Sequence, residues 1–467
     1  MATGSRRRFL TLSLALAVLA TICNASLAAA ASGDMDPSFG VNGGLTTRFD
    51  DGDAQARAIA AQPDGRILAA GHAGLRFALA RYLPNGTLDP RFGSGGKVIT
   101  DFTPSPASSP STSSSECSEA SCFGNSAEAF ALVLQADGRV VAAGGVVSNG
   151  FGAFALARYR PSGQLDPTFG EGGKVTTRHE SVDARAFALV IQPDGKLVAG
   201  GYALRGSFDF AIARYLPDGT LDRGFGQGGF VMTDFFNGMD QVRSLVVEPD
   251  GKLVAAGFAL RGGKFQFAMA RYLPDGTLDA GFGDGGKMTT PFPDGDAQGF
   301  ALVLQPDGRL VIAGGAVIAA KQVAVPRPPP PGDRSDDSKG AFALARYLAD
   351  GTPDTTFGVD GKLTLRFDEG AAAGASALIL EPYGKLVAAG FRHDGKRFEF
   401  ALARFLPTGT LDPSFGSNGK LTTGFEGADA QALALAVQPD GKLVAAGLVL
   451  NGERSEFALT RHKNEFL

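Results

Sequence analysis

The chain has 467 residues, a formal net charge of -4, 65 glycines and 26 prolines, with 44% hydrophobic and 20% charged residues. This composition excludes wholesale disorder, because it supplies enough apolar surface to bury. The length exceeds what one hydrophobic core normally serves, and the mild acidity excludes the clustered basic surface that nucleic-acid binding needs. Glycine at about twice its usual share of ~7%, without a triplet period, predicts many turns.

Residues 1–31 have the pattern of an export signal. Three consecutive arginines precede the apolar stretch 9–22, which is shorter than the ~20 residues of a membrane-spanning helix. A run of four alanines offers a cleavage site before Ser32. Residues 5–10 (Ser-Arg-Arg-Arg-Phe-Leu) resemble the twin-arginine signal, and an ordinary secretory signal is the alternative. We therefore expect a cleaved signal peptide, a mature chain over 32–467, and a periplasmic or extracellular location.

Two cysteines remain after that cleavage, Cys117 and Cys122, in a segment rich in serine and proline. In a chain bound for an oxidising compartment, this pair predicts a disulfide that closes a small surface loop. Two thiols without a nearby histidine pair make a poor metal site.

Three short phrases recur in fixed order seven times along the mature chain. The first is Leu-Asp-x-x-Phe-Gly or a near variant, the second is typically Gln-Pro-Asp-Gly, and the third is close to Phe-Ala-Leu-Ala-Arg-Tyr. The basic unit is about 56 residues, and two units carry roughly 20 extra residues each. A repeat of this period indicates one supersecondary unit that stacks against its neighbours.

Each unit contains four predicted strands, which we call a to d. Strand a is of the type 173–177, strand b is an apolar run such as 300–304, strand c follows as in 309–313, and strand d is the third phrase. A Pro-Asp-Gly turn joins b to c, because proline fixes φ and glycine tolerates φ > 0. Four antiparallel strands repeated radially predict an all-β, seven-bladed β-propeller. The rival, an open solenoid, would need polar end caps, and the last unit is as apolar as the others.

With these phrases, residues 35–462 resemble the delta-60 repeat, a family of bacterial propeller-like repeats without an agreed activity. The resemblance implies the propeller fold and export, and it implies no reaction. Departures from the pattern are local. Tyr383 replaces the turn aspartate of unit six, Pro353 replaces a leucine there, and unit seven has Thr460 and His462 in strand d.

Strand d supplies an arginine in every unit, and in the first six units an aspartate follows eight residues later. One hypothesis is a ring of arginines that lines an anion-binding channel. We favour one structural Arg–Asp pair per unit, because a residue repeated in all units answers a packing need common to all. The pairs are Arg81 with Asp89, Arg158 with Asp166, Arg214 with Asp222, Arg271 with Asp279, Arg346 with Asp354, and Arg404 with Asp412.

Local motifs for catalysis or cofactor binding are absent from the sequence. It has no His-Glu-x-x-His pair, nucleophile elbow, Walker loop or dinucleotide fingerprint, so no catalytic residue and no cofactor are predicted. The turn aspartates raise a calcium hypothesis, but calcium takes six to eight oxygens and no Asp-x-Asp-x-Asp-Gly loop is present. Aspartate and glycine are ordinary turn formers, so no metal site is predicted.

Two insertions interrupt the repeat, at about 103–126 between strands a and b of unit two and at about 316–340 between c and d of unit five. In an up-and-down blade both connections emerge on one face, where loops that depart from a repeat tend to carry function. Several c–d loops of that face are basic, and acidic a–b loops that compensate their charge are the competing interpretation. The binding candidates there are Arg205, Arg261, Lys264, Arg392, His393 and Lys396.

The sequence thus favours an exported, non-catalytic binding or scaffold module. Its partner is unknown; a glycan, a cell-envelope component or a protein would each fit. The alternative is a hydrolase or lyase that acts on polysaccharides from the central channel, which predicts catalytic groups contributed by non-equivalent positions of different blades. No nucleic-acid partner and no transmembrane segment in the mature chain are expected.

Overall fold

The computed structural model describes residues 32–102, 126–148, 150–178, 183–293, 295–317, 340–368 and 372–464. The predicted leader, the Cys117–Cys122 pair and most of both insertions lie outside those residues. Within them, no helix is long and apolar enough to cross a membrane, and the helical element is a 3-10 turn at Pro382–Gly384. The strands are β1 (Gly44–Thr47), β2 (Ala54–Ala61), β3 (Ile67–Ala73), β4 (Arg76–Tyr82), β5 (Lys97–Thr100), β6 (Ser126–Leu134), β7 (Val140–Ser148), β8 (Phe151–Tyr159), β9 (Lys174–Thr177), β10 (Ala184–Ile191), β11 (Leu197–Arg205), β12 (Ser207–Tyr215), β13 (Phe230–Thr233), β14 (Asp240–Val247), β15 (Leu253–Arg261), β16 (Lys264–Tyr272), β17 (Lys287–Thr290), β18 (Ala297–Leu304), β19 (Leu310–Val317), β20 (Gly340–Tyr347), β21 (Lys362–Leu365), β22 (Ala373–Leu380), β23 (Leu386–His393), β24 (Phe398–Phe405), β25 (Lys420–Thr423), β26 (Asp429–Val437), β27 (Leu443–Asn451) and β28 (Arg454–His462).

These strands form seven four-stranded antiparallel sheets, which we call blades 1 to 7. Blade 1 is β2-β3-β4-β5, and blades 2 to 6 follow in the same chain order up to β25. Blade 7 combines β26, β27 and β28 with β1, so strands from both ends of the chain close the ring. The first strand of each blade contacts the first strand of the next blade all the way round, which makes it the inner strand. The predicted seven-bladed propeller is confirmed.

The blades are offset from the units of the sequence. The sequence grouped strand a with the b, c and d strands that follow it, whereas the structure pairs it with the preceding strand d. In blade 3, for example, β13 pairs with β12 through Thr233 opposite Phe210. The reason is that the segment after strand d folds the chain back antiparallel onto that strand, so strand a becomes the outer edge. The a–b connection then leads to the inner strand of the next blade.

The alternation of large and small side chains in strand d packs one blade onto the next. Phe77 and Leu79 of blade 1 cluster with Ala153 and other small residues of blade 2, while Ala78 clusters with Phe457 of blade 7. Because successive side chains point to opposite faces of a sheet, one face of each blade is bulky and the other is flat. The hydrophobic core therefore lies between the blades, where each buried Phe or Leu contributes roughly 1.5–3 kcal/mol.

Strand d of blades 1 to 5 ends in a buried tyrosine whose hydroxyl group pairs with a threonine of the preceding blade's outer strand. Blade 6 has Phe405 in place of this tyrosine, and the facing strand ends in Leu365 in place of the threonine. Losing both hydroxyl groups together avoids a single buried, unpaired one. The five pairs are Tyr82–Thr47 (2.8 Å), Tyr159–Thr100 (2.7 Å), Tyr215–Thr177 (2.9 Å), Tyr272–Thr233 (2.8 Å) and Tyr347–Thr290 (2.7 Å).

A tight turn follows strand d in every blade, and blade 1 shows its ordinary form. Gly86 N donates to Leu83 O (2.9 Å), and Leu83 N donates to Thr87 O (2.8 Å). Asp89 N then donates to Arg81 O (2.8 Å), which returns the chain alongside the strand. Gly86 has φ +88°, a left-handed conformation that glycine adopts without strain.

In blade 7 the same turn is split between the two ends of the described chain. Gly33 N donates to Lys463 O (2.7 Å), Lys463 N donates to Asp34 O (2.8 Å), and Asp36 N donates to Arg461 O (2.9 Å). These bonds match those of blade 1 one for one. The N-terminal segment therefore completes the last turn of the ring without a peptide bond joining it to strand β28.

Ser32 occupies the place of Asn85, the third residue of the blade 1 turn, in this split turn. Its carbonyl accepts the N–H of Gly416 (2.8 Å), and its hydroxyl accepts a hydrogen bond from Arg404 Nη1 (3.0 Å). The same Nη1 donates to Asn464 Oδ1 (2.7 Å), so one arginine of blade 6 holds both sides of the gap. Residues 32–36 are thus an integral part of blade 7.

We predict that Asp36→Ala lowers the free energy of unfolding by about 2–4 kcal/mol, because it leaves the buried guanidinium of Arg461 without its carboxylate partner at 2.9 Å. The matched control is Asp34→Ala, two residues away, whose side chain is exposed and should change stability by about 0.5 kcal/mol or less. Urea unfolding of the two variants and the parent measures both values. Equal losses in the two variants would contradict the closure role of Asp36.

Candidate functional site

The repeated arginines of strand d lie on the third strand of each blade, away from the inner strand. In blade 1, Arg81 Nε donates to Asp89 Oδ2 (3.0 Å), the guanidinium lies over the Phe92 ring (4.6 Å), and Nη1 donates to Pro161 O of blade 2 (2.6 Å). The equivalent Arg–Asp contacts of the other blades measure 2.8–2.9 Å and are Arg158–Asp166, Arg214–Asp222, Arg271–Asp279, Arg346–Asp354, Arg404–Asp412 and Arg461–Asp36.

Each of these aspartates also lies beside a second cation. At Asp412 burial raises the pKa, but hydrogen bonds from Ser414 and Lys385 and the charge of Arg404 outweigh it and lower the pKa to about 2. The carboxylate therefore stays ionised at neutral pH and keeps both cations in place. Because each arginine bonds to its own turn and to the next blade, its geometry is that of a joint between blades.

The six basic residues singled out in the c–d loops lie in three blades. Arg261 stacks over Phe236 (4.7 Å), and Arg392 forms ion pairs with Asp368 and Glu399. Blade 5 separates the candidates of blade 4 from those of blade 6, so the structure does not bring all six together. Their positions are Arg205 in blade 3, Arg261 and Lys264 in blade 4, and Arg392, His393 and Lys396 in blade 6.

The positions of the residues that flank the two insertions agree with the prediction that both insertions emerge on one face of the ring. The first insertion leaves after outer strand β5 and returns at inner strand β6, and the second joins β19 to β20. Ala127 N, at the start of β6, donates to Leu75 O in the β3–β4 hairpin (2.8 Å), so an a–b connection lies beside a c–d loop. The insertions themselves lie outside the described residues apart from their edges.

The inner strand of every blade contains a β-bulge at the same place. In blade 3, Ala186 and Ala188 pair with consecutive residues of β11, so Phe187 between them has no partner across the ladder. The facing residue is Gly201, where a Cβ would lie 1.8 Å from Arg185 O. Bulges re-aim a side chain and often border functional sites. The bulged residues of blades 1 to 7 are Arg57, Phe130, Phe187, Arg243, Phe300, Ser376 and Leu433.

The bulged side chains contact one another from blade 1 to blade 5. Arg57 lies over the ring of Phe130 (5.8 Å), and the rings of Phe130 and Phe187 meet edge to face (4.9 Å). Arg243 lies over Phe187 (4.0 Å) and Phe300 (5.7 Å). All five side chains are partly exposed. We call these five residues the channel arc, because they lie on the innermost strands and so border the centre of the ring.

Polar side chains accompany the channel arc, two residues before the bulge. His72 pairs with the first of them, Gln55, across the ladder and is 9% exposed. Burial lowers the pKa of His72 against the opposing charge of Glu128, so the imidazole is neutral at pH 7. Buried atoms without a hydrogen-bond partner among the described residues include His72 Nδ1, Gln55 Oε1, Gln431 Oε1 and Arg185 Nε. The polar residues at this position are Gln55, Glu128, Arg185, Gln241, Gln298 and Gln431.

Sequence reasoning missed the channel arc, although the seven repeats contain a signal for it. When the inner strands are aligned, most positions hold small or aliphatic residues, while the bulge position varies among arginine, phenylalanine, serine and leucine. A bulge is defined by the pairing of two strands and cannot be recognised in the sequence of one. The sequence therefore did not indicate which way the side chain at the variable position faces.

Comparison with known proteins supports the fold and leaves the function open. The family model of the domain of unknown function DUF5122, described as a beta-propeller, matches residues 62–92, 135–169, 192–225, 248–282, 332–357 and 384–415. The chain is a β-propeller, and these six segments are similar to that repeat family. No curated protein matches it.

Among solved structures, similar chains include virginiamycin B lyase from Staphylococcus aureus (11% identity, TM-score 0.45, 89% of this chain and 98% of that one). Others are the periplasmic gluconolactonase PpgL from Pseudomonas aeruginosa (14%, 0.41, 83% and 92%) and the polysaccharide lyase Uly1 (10%, 0.46, 88% and 90%). Likenesses this distant give no weight to any activity.

A group of three carboxylates in this propeller lies at the junction of blades 3 and 4. Ligand atoms of Asp209, Asp234 and Asp240 all lie within 4.8 Å of one another. Burial, with the charges of the other two, raises the pKa of Asp240 to about 6. Asp240 stands where the other six inner strands have alanine. Three oxygens fall short of the six to eight that calcium takes, and Asp240 already accepts the N–H of Phe235 (2.8 Å).

We predict that Asp234→Asn raises the free energy of unfolding at pH 7.5 by about 0.5–1 kcal/mol and changes it much less at pH 4.5. The pKa of Asp240 in the folded protein, about 6, exceeds its ordinary value of 3.8. Ionisation of this group therefore lowers the protein's free energy of unfolding as pH rises from about 4 to about 6. Removing the neighbouring charge reduces that loss. Urea unfolding at both pH values measures it, with the exposed Asp284→Asn as the control that should show no pH-dependent gain.

Proposed function

We propose that the protein is an exported, non-catalytic binding module whose ligand site is the channel arc. The observation that carries the proposal is the break in the repeat at the bulge position. Residues that serve the fold are repeated from blade to blade, as the Arg–Asp pairs are. The bulge position is equally regular in backbone geometry, yet its side chains differ among the blades, which fits selection by a ligand rather than by a packing need common to all blades.

The chemistry of the channel arc favours binding. Partly exposed phenylalanine rings offer flat apolar faces, and the arginines stacked beside them present planar groups with several N–H donors. Buried amide oxygens without partners, at Gln55 and Gln431, are acceptors that a ligand's hydroxyl groups would satisfy. A glycan carries both apolar faces and hydroxyl groups, so we propose a glycan of the cell envelope or the surroundings as the partner.

The enzymatic alternative, a polysaccharide hydrolase or lyase at the channel, is favoured by one observation. His72 is buried and neutral, with an unpartnered Nδ1, and it lies close enough to Glu128 and Arg57 for their charges to affect its pKa. A neutral imidazole beside a cation has the form of a general base. Cleavage of a bound glycan that stops in His72→Gln would select this alternative over the binding module.

The binding module is tested by a thermal-shift screen of glycans against the parent and two variants, Phe130→Ser and Phe300→Ser. Serine is the residue that blade 6 carries at this position, as Ser376, so the substitution suits the bulge. We expect a glycan that stabilises the parent to lose most of its effect on both variants, because stacking on a phenyl face supplies much of the binding.

The matched control is a double variant of the c–d loops, Arg205→Gln with Arg261→Gln. It should respond to the glycan as the parent does. A glycan response that disappears in the loop variant and persists in both serine variants would move the site to the loop face and reject the channel arc.

Export and the delta-60 assignment belong to the same proposal. The twin-arginine-like leader supports export, and the split turn supports a mature chain that starts at Ser32, since residues from Ser32 onward complete blade 7. We predict that protein recovered from the periplasm or medium of an expressing bacterium gives an N-terminal sequence of Ser-Gly-Asp-Met. Recovery only from the cytoplasm, with the leader intact, would contradict it.

A further inference from the structure

We propose that the ligand of the channel arc is an acidic oligosaccharide, in which a uronic-acid carboxylate binds to the arginines while the sugar ring stacks on the phenylalanines. This inference rests on the proposed function and adds the chemical class of the ligand. It starts from an imbalance of charge. At the bulge and the position two residues before it, the inner strands carry three arginines, Arg57, Arg185 and Arg243, and one acid, Glu128. The rest of the chain is net acidic.

The arginines are placed to recognise a carboxylate through the edge of the guanidinium. Arg243 lies over Phe187 at 4.0 Å, and Arg57 lies over Phe130 at 5.8 Å. Stacking occupies the face of the planar group, while the N–H donors that pair with a carboxylate lie along its edge. In addition, Nη2 of Arg243 donates to Gln241 Oε1 (2.8 Å), which fixes the orientation of the group. A held guanidinium loses less entropy when it binds an anion.

Two acids at the ends of inner strands have structural partners. Asp53 Oδ1 accepts the N–H of Ser455 in blade 7 (2.8 Å), and Asp429 Oδ1 accepts the N–H of Phe398 in blade 6 (3.0 Å). Each carboxylate thereby pins an inner strand to the preceding blade. These bonds fix the two acids at the strand ends, while at the bulge and two residues before it three arginines stand beside one acid, Glu128.

The amide groups select a polyol over a simple aromatic acid. Gln55 and Gln431 are 9% and 5% exposed, and their Oε1 atoms have no hydrogen-bond partner in the described part of the chain. A buried acceptor without a donor is costly, about 1–3 kcal/mol each. Sugar hydroxyl groups would donate to these oxygens while the ring's C–H face lies on a phenyl ring. A uronic acid combines the carboxylate, the hydroxyl groups and the apolar face in one residue.

The test is calorimetric titration of the purified protein with tetragalacturonate and with the same tetrasaccharide after its carboxyl groups have been reduced to alcohols. We expect the acidic form to bind at least tenfold more tightly. Arg57→Gln and Arg243→Gln should each weaken its binding about tenfold, which is about 1.4 kcal/mol. Arg243→Lys should recover part of the loss, because it keeps the charge without the planar group.

Controls keep this inference separate from the proposed function. Arg205→Gln with Arg261→Gln makes a larger charge change outside the arc and should leave the affinity unchanged. Circular dichroism and melting temperature identify variants that fail to fold, and Arg57→Lys then replaces Arg57→Gln as the test of the planar group.

Four outcomes would overturn the inference. Equal affinities for the acidic and reduced tetrasaccharides, or no binding of the acidic form at millimolar concentration, reject an acidic ligand. If a neutral glycan binds and its affinity depends on Phe130 and not on the arginines, the binding module is supported and only the acidic ligand class is rejected. If acidic-glycan affinity instead follows Arg205 and Arg261, the channel arc falls as well.

Discussion

The contact on which the ring depends is the buried ion pair between the arginine of strand d and the aspartate of the following turn. In blade 1, Arg81 bonds to Asp89 of its own blade, lies over Phe92, and donates to Pro161 O of the next blade. A planar, permanently charged group with several donors can satisfy all these directions at once, which an amine on a flexible chain cannot. Seven such joints, together with the complementary bulky and flat faces of strand d, fix each blade relative to its neighbour.

The split turn shows how strictly this joint constrains the chain. At the closure there is no peptide bond to carry the turn, yet Asp36 still pairs with Arg461, and the backbone bonds of residues 33–36 reproduce those of blade 1. Arg404 reaches the two sides of the gap through Ser32 and Asn464 in place of a single turn carbonyl. The ring thus closes by the same interactions that join every other pair of blades, which explains why the end units need no polar cap.

Most of the fold could be predicted from the sequence, because the repeat displays the same local chemistry seven times. The number of blades, the four strands and the Arg–Asp spacing all follow from phrases that recur. The blade to which strand a belongs could not be predicted, because only strand pairing, such as that of β12 with β13, determines it. The glycine content predicted many turns and gave no sign of the glycine inside strand c. Gly201 is required by a backbone oxygen 1.8 Å from where its Cβ would lie, inside a strand.

The channel arc was not predicted for the opposite reason, because its residues differ from one repeat to the next. A bulge adds one residue to the inner strand, so that the side chain of Phe187 leaves the ladder while Ala186 and Ala188 stay in it. The backbone can therefore keep its seven-fold regularity whatever residue stands at the bulge, because that residue takes no part in the pairing of the ladder. This freedom from ladder pairing is what allows arginine, phenylalanine, serine and leucine to share one position. A propeller with such positions on every inner strand can change its ligand chemistry without altering any of the joints that hold it closed.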